Sequence, residues 1–266
     1  MLSFSSLNTG SIIYLFVLAG ILGAVFGSAM MCQGNRIASG ENWWKGRSHC
    51  DACGHVLTAM DLIPVFSYLI QGGKCRYCGT KLSPKYLITE ILMACAFMGI
   101  LWHQWSLSWE VIMQWGLVCA LLGLSVVDFD TYEIPDTYII FGIVWWVLGV
   151  GMEYFAGMDV SYRVKDGLLG GVCIATGLFI LSLLMDHILK KESMGGGDIK
   201  LVFVTGLYLG TLNGLFSLVL ACVIGLMFVV FLKKDKIPFG PSISIATYLG
   251  LTIVPYIVIW YVGLLR

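Results

Sequence analysis

Apolar residues fall along this chain in long uninterrupted blocks. They do not follow the 3.6-residue period of a surface helix or the two-residue alternation of a half-buried strand. The blocks occupy residues 11–31, 86–103, 111–127, 138–156, 167–188, 199–212, 214–232 and 243–265. All but the sixth are near the ~20 apolar residues that a membrane-crossing helix needs. The pattern predicts an all-α polytopic membrane protein with about eight transmembrane helices. The sixth and seventh blocks are separated only by Asn213-Gly214. The first block lacks a basic leader and a small-residue cleavage site, so it is read as a retained helix and not a signal peptide. One long polar stretch interrupts the series, at residues 33–85. The expected organisation is a first transmembrane helix at 1–32, a small polar domain at 33–85 and a seven-helix membrane domain at 86–266. No internal repeat or low-complexity tract is visible.

Composition agrees with lipid contact. Hydrophobic residues make up 58% and charged residues 12%, about half the charge of a soluble domain. Net charge is zero, and no nucleic-acid partner is expected. The distribution of charge sets the orientation. Arg36, Lys45, Arg47, Lys74, Arg76, Lys81 and Lys85 precede the second block, and Lys190, Lys191 and Lys200 surround the start of the sixth. Lys233, Lys234 and Lys236 precede the eighth. With eight alternating spans these thirteen fall on one side, against Arg163, Lys165 and Arg266 on the other. Positive residues mark the cytoplasmic side, so the 33–85 segment is expected in the cytoplasm and both termini outside.

Nine cysteines are present. Cys32, Cys95, Cys119, Cys173 and Cys222 lie in apolar stretches and are expected to act as small buried hydrophobes. The other four form two C-x-x-C-G turns, Cys50/Cys53 and Cys75/Cys78, with 21 residues between them. Two such turns suit a tetrahedral four-cysteine zinc site, a zinc knuckle, since each brings two sulfurs to one ion. Four thiols on the reducing side of a membrane argue against disulfides. His49 and His55 flank the first turn as substitute ligands or bystanders. A structural zinc would supply the stability that so short a segment cannot draw from an apolar core.

The acids at span ends carry the chemistry. The third block runs into Asp128, with Asp130, Glu133 and Asp136 close behind; the sixth opens on Gly195-Gly196-Gly197-Asp198 with Lys200 beyond. About 14 apolar residues after Asp198 reach only about 21 Å, so Asp198 is expected at some depth. Ionisable groups within spans are costly and usually functional. Two carboxylates brought together share a proton, which leaves one as acid and one as base for attack of water on a peptide carbonyl. Asp130, Glu133 and Asp136 are better read as helix-end residues. Lys200 either holds Asp198 or reaches for headgroups. Glu90, one turn inside the second span, is interfacial or a contact for a substrate amine.

In this order the motifs resemble those of the type IV prepilin leader peptidase / N-methyltransferase family, a group of GxGD-type membrane aspartyl proteases. Phe26-Gly27-Ser28 opens the series. The cysteine pairs enclose Asp61-Leu62-Ile63-Pro64 and Ser67-Tyr68-Leu69, and Ser83-Pro84-Lys85-Tyr86 with Glu90 follow. Asp128 with Ile134-Pro135-Asp136, then Gly195-Gly196-Gly197-Asp198 with Lys200, then Ile237-Pro238-Phe239-Gly240-Pro241 complete it. The resemblance implies catalytic Asp128 and Asp198 supported by Gly195, Gly197, Lys200 and Glu90. It implies removal of the leader from prepilins or pseudopilins after a glycine, at the bacterial inner membrane. It also implies methylation of the new N-terminus with S-adenosylmethionine. Met31 and Leu62 stand where the family carries asparagine, so a peptidase without methyl transfer is the alternative. A proton-coupled transporter using the two aspartates and a non-catalytic prepilin-binding factor are the other readings.

Overall fold

Membrane helices without the hydrophobic effect between them pack where small side chains let backbones meet, and this chain does so from its first helix. The computed structural model describes residues 2–42, 46–191, 194–232 and 237–264. Lys45, Lys233, Lys234, Lys236 and Arg266, used above for orientation, lie outside the described residues. The chain divides into two compact units, Met1–Leu107 and Ser108–Arg266.

In the first unit, α1 (Thr9–Ala38) starts at Asn8, whose side chain accepts the Ser11 N–H at 2.8 Å. The short α2 (Phe66–Ile70) lies in the polar segment, and α3 (Lys85–Gln104) returns beside α1. Ala19, Gly23 and Gly27 form the buried stripe on α1. A Cβ on Gly23 would stand 2.6 Å from the Met93 carbonyl oxygen, and one on Gly27 2.8 Å from that of Thr89. Asn35 Nδ2 donates to the Tyr86 hydroxyl at 3.0 Å, fastening the far ends of the pair. At the other end Phe4, Phe16, Trp102 and Trp105 cluster edge to face, and a two-residue strand pair joins Leu2–Ser3 to Ser106–Leu107.

The second unit is built on α4 (Trp109–Thr131), followed by α5 (Asp136–Phe155), α6 (Ser161–Leu189) and α7 (Gly196–Leu232). It closes with α8 (Gly240–Thr252) and α9 (Val254–Leu264). Of the apolar stretch of α4, 72% is buried, against at most 33% for any other long helix, so α4 is the centre and its neighbours face outward. At its start, Arg163 from α6 bridges Glu110 at 2.9 Å and Glu153 of α5 at 3.0 Å. From Glu110 to Asp128 the helix rises about 27 Å, close to the ~30 Å of a hydrocarbon core.

Among the described residues, six helices are long and apolar enough to cross a membrane, or seven with the bent pair α8 and α9. One of the six, α7, is broken. Gly210 has φ 73° and ψ −170°, a region open essentially to glycine alone. A Cβ on Gly214 would lie 3.9 Å from the Gly206 Cα, whereas a continuous helix separates residues eight apart by about 12 Å. The chain therefore folds back at Gly210 into two antiparallel arms. Asp166 of α6 meets the reversal: its Oδ1 accepts the Thr211 N–H at 3.2 Å. The eight apolar blocks thus correspond to eight helical segments, with the sixth and seventh dividing at Gly210 and not at Asn213-Gly214. The last is bent by 63° between α8 and α9, where Pro255 has no N–H to continue the ladder.

The apolar cysteines differ from expectation in part. Cys119 is buried, but Cys95, Cys173 and Cys222 are exposed. On a membrane helix an outward side chain meets lipid, so a small apolar residue need not be buried.

The reversal makes a stability prediction. Gly210→Ala puts a side chain into a glycine-only conformation and against the Asp166 carboxylate, and should cost about 1–3 kcal/mol. Thermal unfolding of purified protein in detergent should show a clear fall in Tm. Gly151→Ala, where nothing lies within 4 Å of the new methyl, should leave Tm unchanged or slightly higher.

Candidate active site and metal cluster

Asp128 occupies the last full turn of α4, which ends at Tyr132 in the left-handed conformation with its N–H bonded to the Asp128 carbonyl at 3.0 Å. The Asp128 side chain turns inward and the residue is 3% exposed. Its Oδ2 accepts the backbone N–H of Gly240 at 2.8 Å. Gly240 is the first residue of α8, so the carboxylate also sits at the positive end of that helix. A Cβ on Gly240 would stand 2.7 Å from Oδ2, so only glycine allows the approach. One turn back from Asp128, Ser125 Oγ bonds Ser244 Oγ at 2.9 Å and fixes α4 against α8.

Asp198 lies in the first turn of α7 and is half-buried. Its N–H bonds the Gly195 carbonyl at 3.1 Å. The carboxylate lies against Gly195, where a Cβ would be 3.3 Å from Oδ2. Gly197 admits Ile134 from the loop after α4; a Cβ there would be 2.9 Å from the Ile134 Cβ. Asp128 and Asp198 are close enough for the charge of the first to act on the second. Asp128 is buried and Asp198 half-buried.

Lys200 does not hold Asp198. Its Nζ pairs with Asp136 Oδ1 at 2.7 Å, both side chains being more than half exposed. The pair links the start of α7 to the start of α5. Asp136 thus has a partner besides its place in the first turn of α5. Asp130 and Glu133 are exposed. The Gly240 amide was not foreseen as a partner of Asp128. The signal was present in the Pro238-Phe239-Gly240-Pro241 run, since glycine beside proline at a helix start marks a close backbone approach.

The four knuckle cysteines converge. Their sulfurs all lie within 4.8 Å of one another, Cys50 and Cys75 buried, Cys53 and Cys78 exposed. The Cys50 and Cys78 sulfurs are 3.9 Å apart; a tetrahedron with Zn–S of 2.3 Å has edges of about 3.8 Å. The two turns repeat one design. The Cys50 N–H bonds the His55 carbonyl and the Cys75 N–H that of Thr80, while Gly54 and Gly79 N–H groups return to Cys50 and Cys75. Gly54 and Gly79 both have positive φ, 68° and 73°. Within the cluster the Thr80 hydroxyl draws Cys78 down to about 6. The His55 amide favours the Cys53 thiolate, but desolvation and the Cys50 and Cys78 thiols push Cys53 up to about 11. Four sulfurs so placed could hold one metal ion. The histidines stand aside: His49 Nδ1 lies 3.3 Å from the Arg47 carbonyl, and His55 stacks on Tyr77 at 3.6 Å.

Between the knuckles the chain is held by two carboxylates. Asp61 accepts from Thr58 Oγ1 at 2.7 Å, Thr58 N at 3.0 Å, Gln71 Nε2 at 3.1 Å and Tyr77 Oη at 3.1 Å, with Arg76 at 3.5 Å. The Thr58 hydroxyl foremost holds Asp61 below the ordinary carboxylate range. Glu90 of α3 is 7% exposed, and its Oε2 accepts the Val65 N–H at 2.7 Å. Val65 has φ 63° and ψ −55°, and Phe66 N–H bonds the Pro64 carbonyl at 2.6 Å, which is the strained form of the γ-turn. A β-branched residue there is an outlier, with strain of about 1–3 kcal/mol, and Glu90 braces it. One oxygen of Glu90 is thus engaged by the Val65 amide.

Fold and site together define a polytopic helical membrane protein with a carboxylate pair in its helical unit and a four-thiol cluster outside it. The chain belongs to the type IV leader peptidase family. Residues 21–104 match the family model described as the bacterial peptidase A24 N-terminal domain, and residues 115–230 match the type IV leader peptidase family. The cysteines fall in the first match and both aspartates in the second. A prepilin leader peptidase/N-methyltransferase of Bacillus subtilis is 30% identical, over 86% of this chain and 91% of its own length. One of Pseudomonas putida is 31% identical, over 76% and 70%. A type 4 prepilin-like proteins leader peptide-processing enzyme of Escherichia coli is 29% identical, over 75% and 72%. No solved structure matches.

The Gly240 contact is testable by itself. Gly240→Ala forces Asp128 away from the α8 terminus by its 2.7 Å clash. A displacement near 1 Å should lower leader cleavage by about 100-fold, in kcat more than KM, with membrane insertion and zinc content unchanged.

Proposed function

We propose that this protein removes the leader peptide of type IV prepilins or pseudopilins after a glycine and methylates the new N-terminal residue with S-adenosylmethionine. The observation that carries the reading is that Asp128, at the end of α4, and Asp198, in the first turn of α7, both lie within the stretch matched by the leader peptidase family. The proposed site is the bacterial inner membrane, with residues 33–85 cytoplasmic and both termini outside.

In the proposed mechanism the two carboxylates share one proton, because like charges so close do not both ionise. The ionised member takes a proton from water as its oxygen attacks the scissile carbonyl. The protonated member gives its proton to the carbonyl oxygen. Collapse of the tetrahedral intermediate breaks the C–N bond, and the departing nitrogen takes a proton back, leaving a glycine carboxylate on the leader and a free amine on the pilin. The Gly240 N–H fixes one oxygen of Asp128, while Gly195 keeps a side chain off the Asp198 carboxylate and Gly197 makes room for Ile134. The Lys200–Asp136 pair ties the start of α7, which carries Asp198, to the start of α5. Water reaches the pair from the Asp198 side, since Asp128 is enclosed.

Residues 33–85 are the proposed methylating segment. Cys50, Cys53, Cys75 and Cys78 would hold zinc as thiolates, closing two turns into one small domain. The methyl donor supplies an electrophilic methyl group; the amine gains it and loses a proton.

Purified enzyme, prepilin and intact-mass analysis with and without the donor test the whole reading. Asp128→Asn and Asp198→Asn should each reduce cleavage by more than about 10³-fold, while Asp136→Asn, in an exposed pair, should keep cleavage within about tenfold. Full cleavage by either of the first two defeats the dyad. A cleaved product without an added methyl, at saturating donor, makes the chain a peptidase only.

The metal has its own readout. Elemental analysis of protein purified without chelators should give about one zinc per chain. Replacing Cys53 and Cys78 by serine should release it and reduce methyl transfer more than cleavage, because both aspartates belong to other helices.

A further inference from the structure

Residues 59–70 expose more apolar surface than a water-facing loop carries. Met60 is 68% exposed, Leu62 42%, Ile63 47%, Phe66 65%, Leu69 61% and Ile70 80%. They follow one another through a 3-10 turn (Ala59–Leu62), the γ-turn at Val65 and α2. An apolar cluster of this kind on a surface marks a partner.

The level at which the segment is pinned identifies the partner. The Val65 N–H is held by Glu90, which lies five residues inside α3 from Lys85. Five residues of helix descend about 7.5 Å, within the roughly 5–10 Å depth at which interfacial helices rest below the headgroups. Ile88, one turn into α3, is already 52% exposed, on a helix long and apolar enough to cross a membrane. The flanking charge has the matching sign. Residues 46–85 hold Arg47, Lys74, Arg76, Lys81 and Lys85 against Asp51 and Asp61, and basic residues beside a membrane are drawn to anionic lipid.

We propose that residues 59–70 are a membrane-docking element that seats Met60, Ile63, Phe66, Leu69 and Ile70 at the headgroup–acyl boundary of an anionic bilayer. The Glu90–Val65 bond sets its depth, and the basic residues around the second knuckle meet the headgroups. The cysteine domain is thus held against the bilayer by its own apolar face as well as by α1 and α3. The inference is independent of the peptidase and methyltransferase readings.

The test uses full-length protein in nanodiscs of phosphatidylethanolamine and phosphatidylglycerol. The photo-reactive residue p-benzoylphenylalanine replaces Phe66, Ile70 or, as control, the exposed Asp51 of the first knuckle. Irradiation should give lipid-mass adducts at positions 66 and 70 at least tenfold above position 51. Exchanging phosphatidylglycerol for phosphatidylcholine should lower them severalfold. Adducts at 66 and 70 no greater than at 51 overturn the proposal. So do adducts to a second copy of the chain, or to added prepilin, in place of lipid. A yield indifferent to phosphatidylglycerol overturns the assignment to an anionic surface.

Discussion

Backbone N–H groups freed at membrane depth have no water to turn to and must find acceptors within the protein. In this chain a carboxylate from another helix supplies the acceptor at each of three irregular points. Asp166 takes the Thr211 N–H where α7 reverses, Glu90 takes the Val65 N–H at the strained turn, and Asp128 takes the Gly240 N–H where α8 begins. The arrangement serves both partners. A buried carboxylate is costly without donors, and a helix start or tight turn carries donors that its own backbone does not use. Each pairing fixes a bend that the helical hydrogen-bond ladder cannot fix.

Asp128 is the instance where this structural economy meets chemistry. Its acceptor oxygen Oδ2 is committed to α8, so its position depends on a helix more than a hundred residues later in the chain. Asp198 is governed locally, by the first turn of α7 and the glycines before it. The two aspartates therefore differ in freedom as well as in exposure. One is set by a rigid tertiary contact and the other by a short glycine-rich entry.

Much of this was legible in the sequence, for a physical reason. Lipid demands long apolar blocks, so every break in them is informative; Asp128, Asp198 and the two cysteine turns stand out against the apolar chain around them. The spans followed from block length alone. What was not legible depended on contacts between distant residues. Gly210 is one of many glycines, and only Asp166, on another helix, makes it the reversal point in place of Asn213-Gly214. Lys200 had carboxylates at several sequence distances, and spacing did not favour Asp136 over Asp198. Arg163 was counted as a loop charge, whereas it bridges Glu110 and Glu153 across three helices. Glu90 was read by its depth in a helix, and its partner Val65 carries no sequence mark of its backbone strain.

The same reasoning explains why the polar segment between α1 and α3 is organised as it is. Its core is too small to order it, and its fixed points are instead the four sulfurs at one end and the Asp61 and Glu90 carboxylates at the other. Asp61 draws the loop after the first knuckle onto Arg76 and Tyr77 of the second, which ties the two turns and the intervening chain together. Glu90 then couples that body to α3. A strained turn persists only where its surroundings over-determine it, and here they do: the γ-turn is bonded from a membrane helix on one side and flanked by exposed apolar side chains on the other. The strained turn at Val65 thus sits where a carboxylate of α3 meets a segment with little apolar core of its own.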